Sequence, residues 1–95
     1  MKTIWKFECP IADEVVIHMP LGSQILCVQM QHNVPCIWAL VDDAMPKLIH
    51  NFAWRGTGHP CDNLKPRHHE SEPRYIGTVQ MHNGSLVFHL FEVSI

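Results

Sequence analysis

The chain has 95 residues, of which 46% are hydrophobic and 17% charged, and its formal net charge is −2 when the eight histidines are neutral. A chain of this length forms one globular domain with a modest core, and we place that domain at residues 1–95. The composition excludes a disordered chain, and the seven scattered Lys and Arg residues argue against direct binding to nucleic acid.

Segments with apolar residues at alternate positions recur along the chain, separated by turn residues, and no segment has a helical period. Thr3–Phe7 and Glu14–Met19 are predicted to be the first two strands. Ile25–Met30 and Cys36–Val41 are predicted to form a hairpin, because the link Gln31–Pro35 carries an Asn and a Pro.

The second strand of this hairpin is apolar on both faces. On one face lie Cys36, Trp38 and Leu40, and on the other lie Ile37, Ala39 and Val41. Strands with two apolar faces are covered on both sides, so we expect this hairpin in the middle of the fold. Cys27 and Cys36 are interpreted as small core residues, since no two cysteines have the spacing of a C-x-x-C motif.

Three further strands are predicted at Lys47–Trp54, Tyr75–Met81 and Leu86–Val93, the last two joined by an Asn-Gly turn at residues 83–84. Between them, residues 55–74 are predicted to form one long polar loop with almost nothing to bury. The pattern predicts an all-β fold, a compact antiparallel sandwich or small barrel of six to eight strands.

A likeness to a known family is carried by five segments: Met1–Phe7, Cys36–Asp42, Gly56–Pro60, Tyr75–Thr78 and Leu86–Glu92. In order and spacing they resemble small proteins of a domain of unknown function that tailed bacteriophages and prophages encode. The likeness covers nearly the whole chain apart from residues 61–74, which are longer and richer in His than the family pattern. The resemblance implies a viral origin and expression inside a bacterium, and it supplies no catalytic residues.

A candidate ligand site lies at Trp54, Arg55, Gly56, Gly58 and His59. Closely spaced glycines bring backbone N–H groups near a phosphate, and an aromatic ring with a guanidinium suits a small phosphorylated or nucleotide ligand. The segment lacks the spacing of a dinucleotide fingerprint, and the alternative is a simple turn at the end of a strand.

A second candidate is a zinc site from His59, Cys61, His68 and His69, with Glu70 as a further ligand. The spacing matches no zinc module, and a solvated loop that contains histidines is the alternative. No hydrolytic motif is present, and nothing in the sequence would activate Cys61 as a nucleophile, so we expect neither an enzyme nor an obligatory cofactor.

Three histidines fall within predicted strands, and each is expected to be half-buried and hydrogen-bonded within the sheet. They are His18, His50 and His89.

The leading functional hypothesis is a non-catalytic binding protein that acts on a component of the host. It would inhibit a bacterial defence system, either by binding a defence protein or by sequestering a nucleotide signal. The expected partner is thus a host protein or a small phosphorylated ligand. The alternatives are a structural or assembly protein of the phage particle, and a small metal-binding protein that uses the His/Cys loop.

The low charge, the apolar strands and the open sheet edges favour a homo-oligomer. No apolar run approaches the ~18 residues that cross a membrane, and charges within Met1–Glu8 argue against a signal peptide. We therefore expect the protein in the cytoplasm of a bacterial host.

Overall fold

The computed structural model describes residues 1–94, and within them seven antiparallel strands form two sheets. The strands are β1 Lys2–Glu8, β2 Glu14–Pro20, β3 Gln24–Gln31, β4 Val34–Asp42, β5 Lys47–Gly56, β6 Arg74–Met81 and β7 Leu86–Val93. Sheet A has the strand order β1-β4-β3, and sheet B has the order β2-β5-β7-β6. The all-β prediction is confirmed, and of its two architectures the sandwich is the correct one.

Residues 1–94 contain no helix with the length and hydropathy to cross a bilayer.

The turn between β3 and β4 is tighter than the predicted five-residue link. His32 and Asn33 have φ angles of 50° and 65°, as a two-residue type I′ turn requires, and this turn matches the twist of the strands. Pro35 therefore belongs to β4, where it lies beyond the last residue that pairs with β1. Its carbonyl still accepts a hydrogen bond from the Cys9 N–H at 2.9 Å.

The core lies between the two sheets and draws buried side chains from both of them. Its members are Cys9, Ile17, Met19, Val28, Ile37, Phe52, Trp54, Val79 and Leu90. Burial of each large member contributes about 1.5–3 kcal/mol to stability. Burial also raises the pKa of the Cys9 thiol to about 11, so that this side chain stays neutral and behaves as a small apolar residue.

The central hairpin is covered on one face only, contrary to the expectation from its sequence. β4 is the middle strand of sheet A, but β3 is an edge strand. On the outer face Cys36 is buried by neighbouring strands of its own sheet, whereas Trp38 and Leu40 are half-buried. Cys27 is also half-buried rather than part of the core. The expectation was wrong because adjacent strands shield a central strand without a second layer.

One border of the sandwich is closed by a close approach of β3 to β6. Each strand has a bulge here, at Leu26 and at Ile76, and bulges increase the local twist. A Cβ atom added to Gly77 would lie 2.9 Å from Cγ1 of Val28, which is closer than two carbon atoms pack. A side chain at this position therefore fits only if Val28 or the backbone shifts.

We expect Gly77→Ala to lower the free energy of unfolding by about 1–3 kcal/mol, because the added methyl group overpacks the core. Urea denaturation measures the change. Val28→Ala removes the clashing methyl group, so the double variant should lose less stability than the sum of the two single losses. Wild-type stability of Gly77→Ala would contradict the close approach.

Candidate functional site

A long segment that crosses the outer face of sheet B dominates the surface of this domain. The polar loop predicted at residues 55–74 is shorter, because Arg55 and Gly56 pair with His89 and Phe88 in the sheet and Arg74 pairs with Glu92. The remaining residues, 57–73, are here called the strap. Loops that are held in place by a rigid sheet are a common location for binding residues.

The strap is anchored by a small apolar cluster, although its sequence predicted almost no buried side chain. Leu64 is 9% exposed and packs with Ala53, Val93 and the half-buried Phe91 on sheet B. Next to this cluster, the Ser94 N–H donates a hydrogen bond of 3.0 Å to the carbonyl of Lys65. One leucine and one backbone hydrogen bond thus fix the middle of the strap to β5 and to the end of β7.

A buried carboxylate provides the second anchor. Glu92 is 2% exposed, and its Oε2 lies 2.9 Å from Nδ1 of His50. Its Oε1 accepts a hydrogen bond of 3.3 Å from Nη1 of Arg67 in the strap, and lies 3.9 Å from Nη1 of Arg74. Arg74 also donates to Glu70 of the strap at 2.5 Å. The carboxylate is therefore compensated by groups from the strap and from two strands, as a buried charge requires.

Two of the three strand histidines have the expected environment. His50 is half-buried and bonded to Glu92, and His89 is half-buried with hydroxyl groups at both ring nitrogens. Thr57 Oγ1 lies 2.7 Å from His89 Nε2, and Tyr75 OH lies 3.0 Å from Nδ1. The Thr57 contact ties the start of the strap to the sheet. The prediction for His18 was wrong, because its side chain points outward from edge strand β2 and is exposed.

The predicted ligand site is only partly assembled. Trp54 is 2% exposed in the core, where its indole N–H donates to the carbonyl of Cys9 at 3.2 Å. The Arg55 guanidinium donates to the carbonyls of Asp13 and Trp54 at 3.0 and 2.7 Å, and to Oδ1 of Asn63 at 3.2 Å. Arg55 therefore connects the strap to the β1–β2 connection. Trp54 is a core residue and is not available to contact a ligand.

The other three residues of this prediction form the start of the strap. The His59 ring packs on Gly56, since a Cβ atom there would lie 2.8 Å from the imidazole. Gly58 has a φ of +85°, which favours glycine. Arg55 and His59 are brought together in a shallow cleft of about 380 Å³ that is also lined by Asp13, Pro60, Asp62 and Asn63.

The four predicted metal ligands lie on the strap, where they do not converge. Within residues 1–94, no three His, Cys, Asp or Glu side chains are grouped so that they could hold a metal ion. The rings of His68 and His69 are in contact, with centroids 3.9 Å apart and planes tilted by 53°, and both residues are exposed. His59 and Cys61 are exposed further along the strap. The strap thus presents imidazole rings and one free thiol to solvent, among other polar side chains.

A cleft that the sequence did not indicate lies between the β3–β4 and β6–β7 turns. It measures about 760 Å³ and is lined by Met30, Asn33, Gln80, Met81, His82, Asn83 and Gly84. Its two sides come from different sheets, so strand patterns alone gave no sign of it. The Glu92 network was also missed, and the only signal for it was an acidic residue at the end of an apolar strand.

Comparison with known proteins identifies the family of the chain. The chain belongs to a family defined by a domain of unknown function, DUF7352, whose model matches residues 1–95. This match confirms the predicted membership of an uncharacterised family, while the phage origin stays a prediction. No curated protein and no solved structure matches the chain.

We expect Glu92→Gln to lower the free energy of unfolding by about 1–3 kcal/mol, because it removes the charge that His50, Arg67 and Arg74 compensate. Limited proteolysis should also cut the strap sooner, since one of its anchors is weakened. Glu72→Gln, at an exposed carboxylate of the same strap, is the matched control and should change stability by less than about 0.5 kcal/mol. Equal effects of the two substitutions would contradict the anchoring role of Glu92.

Proposed function

We propose that this domain is a phage-encoded, non-catalytic binding protein that acts on a protein of the bacterial host, and that the strap is its recognition surface. The observation that carries the proposal is the anchored strap. Leu64, Arg67 and Asn63 fix its course on sheet B, while His59, Cys61 and the adjacent pair His68 and His69 stay exposed. A surface that is ordered before binding loses little conformational entropy when a partner docks.

The chemistry of the cleft beside His59 favours a protein partner over a nucleotide. Asp13 and Asp62 line this cleft, and their carboxylates repel a phosphate group. The Arg55 guanidinium, which would attract one, already donates to two carbonyls and an amide oxygen. Carboxylates beside an imidazole and a proline suit a basic or amide side chain of a protein. Inhibition of a host defence protein is the specific role we propose.

The phage origin is supported by the resemblance of five segments to phage-encoded proteins. Expression inside an infected or lysogenic bacterium follows from that origin, and with it a cytoplasmic location. The competing functions are sequestration of a nucleotide, assembly of the virion and metal binding. Each of them predicts a different result in the experiment below.

The test is capture of host proteins from a bacterial lysate with the wild-type domain and two triple variants, each analysed by quantitative mass spectrometry. The strap variant is His59→Ala/His68→Ala/His69→Ala. The matched control replaces three exposed histidines outside the strap, His18→Ala/His32→Ala/His82→Ala. We expect the wild-type domain to capture one host protein at a fixed ratio. The strap variant should capture about tenfold less of that protein, or even less, and the control should capture as much as the wild type.

Capture without stoichiometry, or equal loss in both variants, would contradict recognition by the strap. Native mass spectrometry of the untagged protein, purified without added metal or nucleotide, separates the competing functions. A retained mass of nucleotide size or a stoichiometric metal would favour sequestration or metal binding, respectively. Presence of the protein in purified phage particles would favour a structural role.

A further inference from the structure

The outer face of sheet A is apolar in its centre and open to solvent. Ile4 is 56% exposed, and its neighbours Trp38 and Leu40 on β4 are half-buried. Contiguous apolar surface with a polar rim is typical of an interface with another protein. We propose that this face is a homodimer interface, in which two copies stack their A sheets about a two-fold axis perpendicular to the strands.

The cross-strand register makes this face complementary to itself. The outward residues of β1 are Lys2, Ile4, Lys6 and Glu8, and they pair with Asp42, Leu40, Trp38 and Cys36 of β4. When the two-fold axis passes over Trp5, each strand lies over the same strand of the second copy and runs in the opposite direction. Lys2 of one copy then lies over Glu8 of the second copy, and Leu40 lies over Trp38. Opposite charges meet at both ends of β1. Leu40 and Trp38 meet at the centre, where the Lys6 side chain of one copy lies over Ile4 of the second.

A two-fold axis parallel to the strands would place β1 over β3 of the second copy. In the register of the sheet, Lys6 would then lie over Cys27 and Glu8 over Gln29, so neither charge would meet an opposite charge. The perpendicular axis is favoured because it pairs Lys2 with Glu8 at both ends of the face. A self-complementary patch of this kind defines the closed, two-fold symmetric contact that most homodimers use.

The face is small for a dimer interface, since three short strands present roughly half of the 20–30 residues a side that standard interfaces use. The Lys6 side chain also lies across the face, where its Nζ donates to Gln31 Oε1 at 2.6 Å. Its aliphatic stem covers apolar surface, and its charge stays near the rim. We therefore expect a reversible dimer that forms at micromolar concentration.

Dimerisation through sheet A leaves the two B sheets on the outside, because the sheets are the two layers of each sandwich. The two straps then face in opposite directions, and the dimer binds two copies of a partner or two sites on one assembly. Bivalent contact raises avidity without any new contact at the strap. This consequence rests on the proposed function, whereas the dimer itself does not.

Sedimentation velocity on the untagged full chain, from low to high micromolar concentration, tests the interface. We expect a single transition from monomer to dimer with no larger species, and a dissociation constant that rises about tenfold or more in Ile4→Lys. Ile49→Lys is the matched control, because Ile49 has the same 56% exposure and lies in sheet B. This control should dimerise like the wild type.

A charge exchange tests the symmetry. Glu8→Lys places like charges at both ends of the face and should weaken the dimer, and Lys2→Glu/Glu8→Lys should restore it. Circular dichroism and thermal unfolding check that each variant is folded.

A wild-type protein that stays monomeric would overturn the proposal, and so would a dimer that Ile4→Lys leaves intact. Failure of the charge exchange to restore the dimer would overturn the two-fold arrangement. A monomer whose capture of a host protein is lost in Ile4→Lys would assign this face to the host partner instead. The strap variants leave this face unchanged, so failure of the proposed function is seen separately, in the capture experiment.

Discussion

A sandwich of two sheets has four faces, and a chain of 95 residues can bury only one layer between them. The inner faces form the core, so the chain needs a different solution for each outer face. On sheet B the strap crosses the outer face and adds a small second cluster around Leu64. On sheet A the outer face stays open, with Ile4 in contact with solvent. The strap and the proposed dimer interface are both consequences of this limit.

Anchoring the strap depends on a charge inside the protein. Glu92 would be costly to bury alone, and His50, Arg67 and Arg74 compensate it from the strap and from two strands. Removal of any one partner leaves the others in place, whereas removal of the carboxylate affects them all. The network therefore couples the course of the strap to the packing of β5, β6 and β7. The course of the strap is therefore set by the folded domain beneath it.

The two proposed functions of the molecule lie on opposite outer faces. Polar side chains and imidazole rings lie on the strap, and apolar side chains with complementary charges lie on sheet A. Because the two faces point away from each other, a contact on one leaves the other free. Self-association and partner recognition are thus compatible in one small domain, and each can be removed by substitutions that spare the other.

The sequence by itself determined the strands, because alternation of apolar residues and the turn residues between them are local signals. All seven strands were placed to within two residues of their ends. The Asn-Gly turn at residues 83–84 also follows from local pattern.

Only the tertiary structure decided between a sandwich and a barrel, and it alone showed that one face of β4 is open. It also decided that Arg55 fastens the strap, that Glu92 meets three cationic or titratable partners, and that four candidate metal ligands do not converge. These facts depend on which strands become neighbours, and strand order is set by contacts between residues far apart in the chain, which no local pattern records.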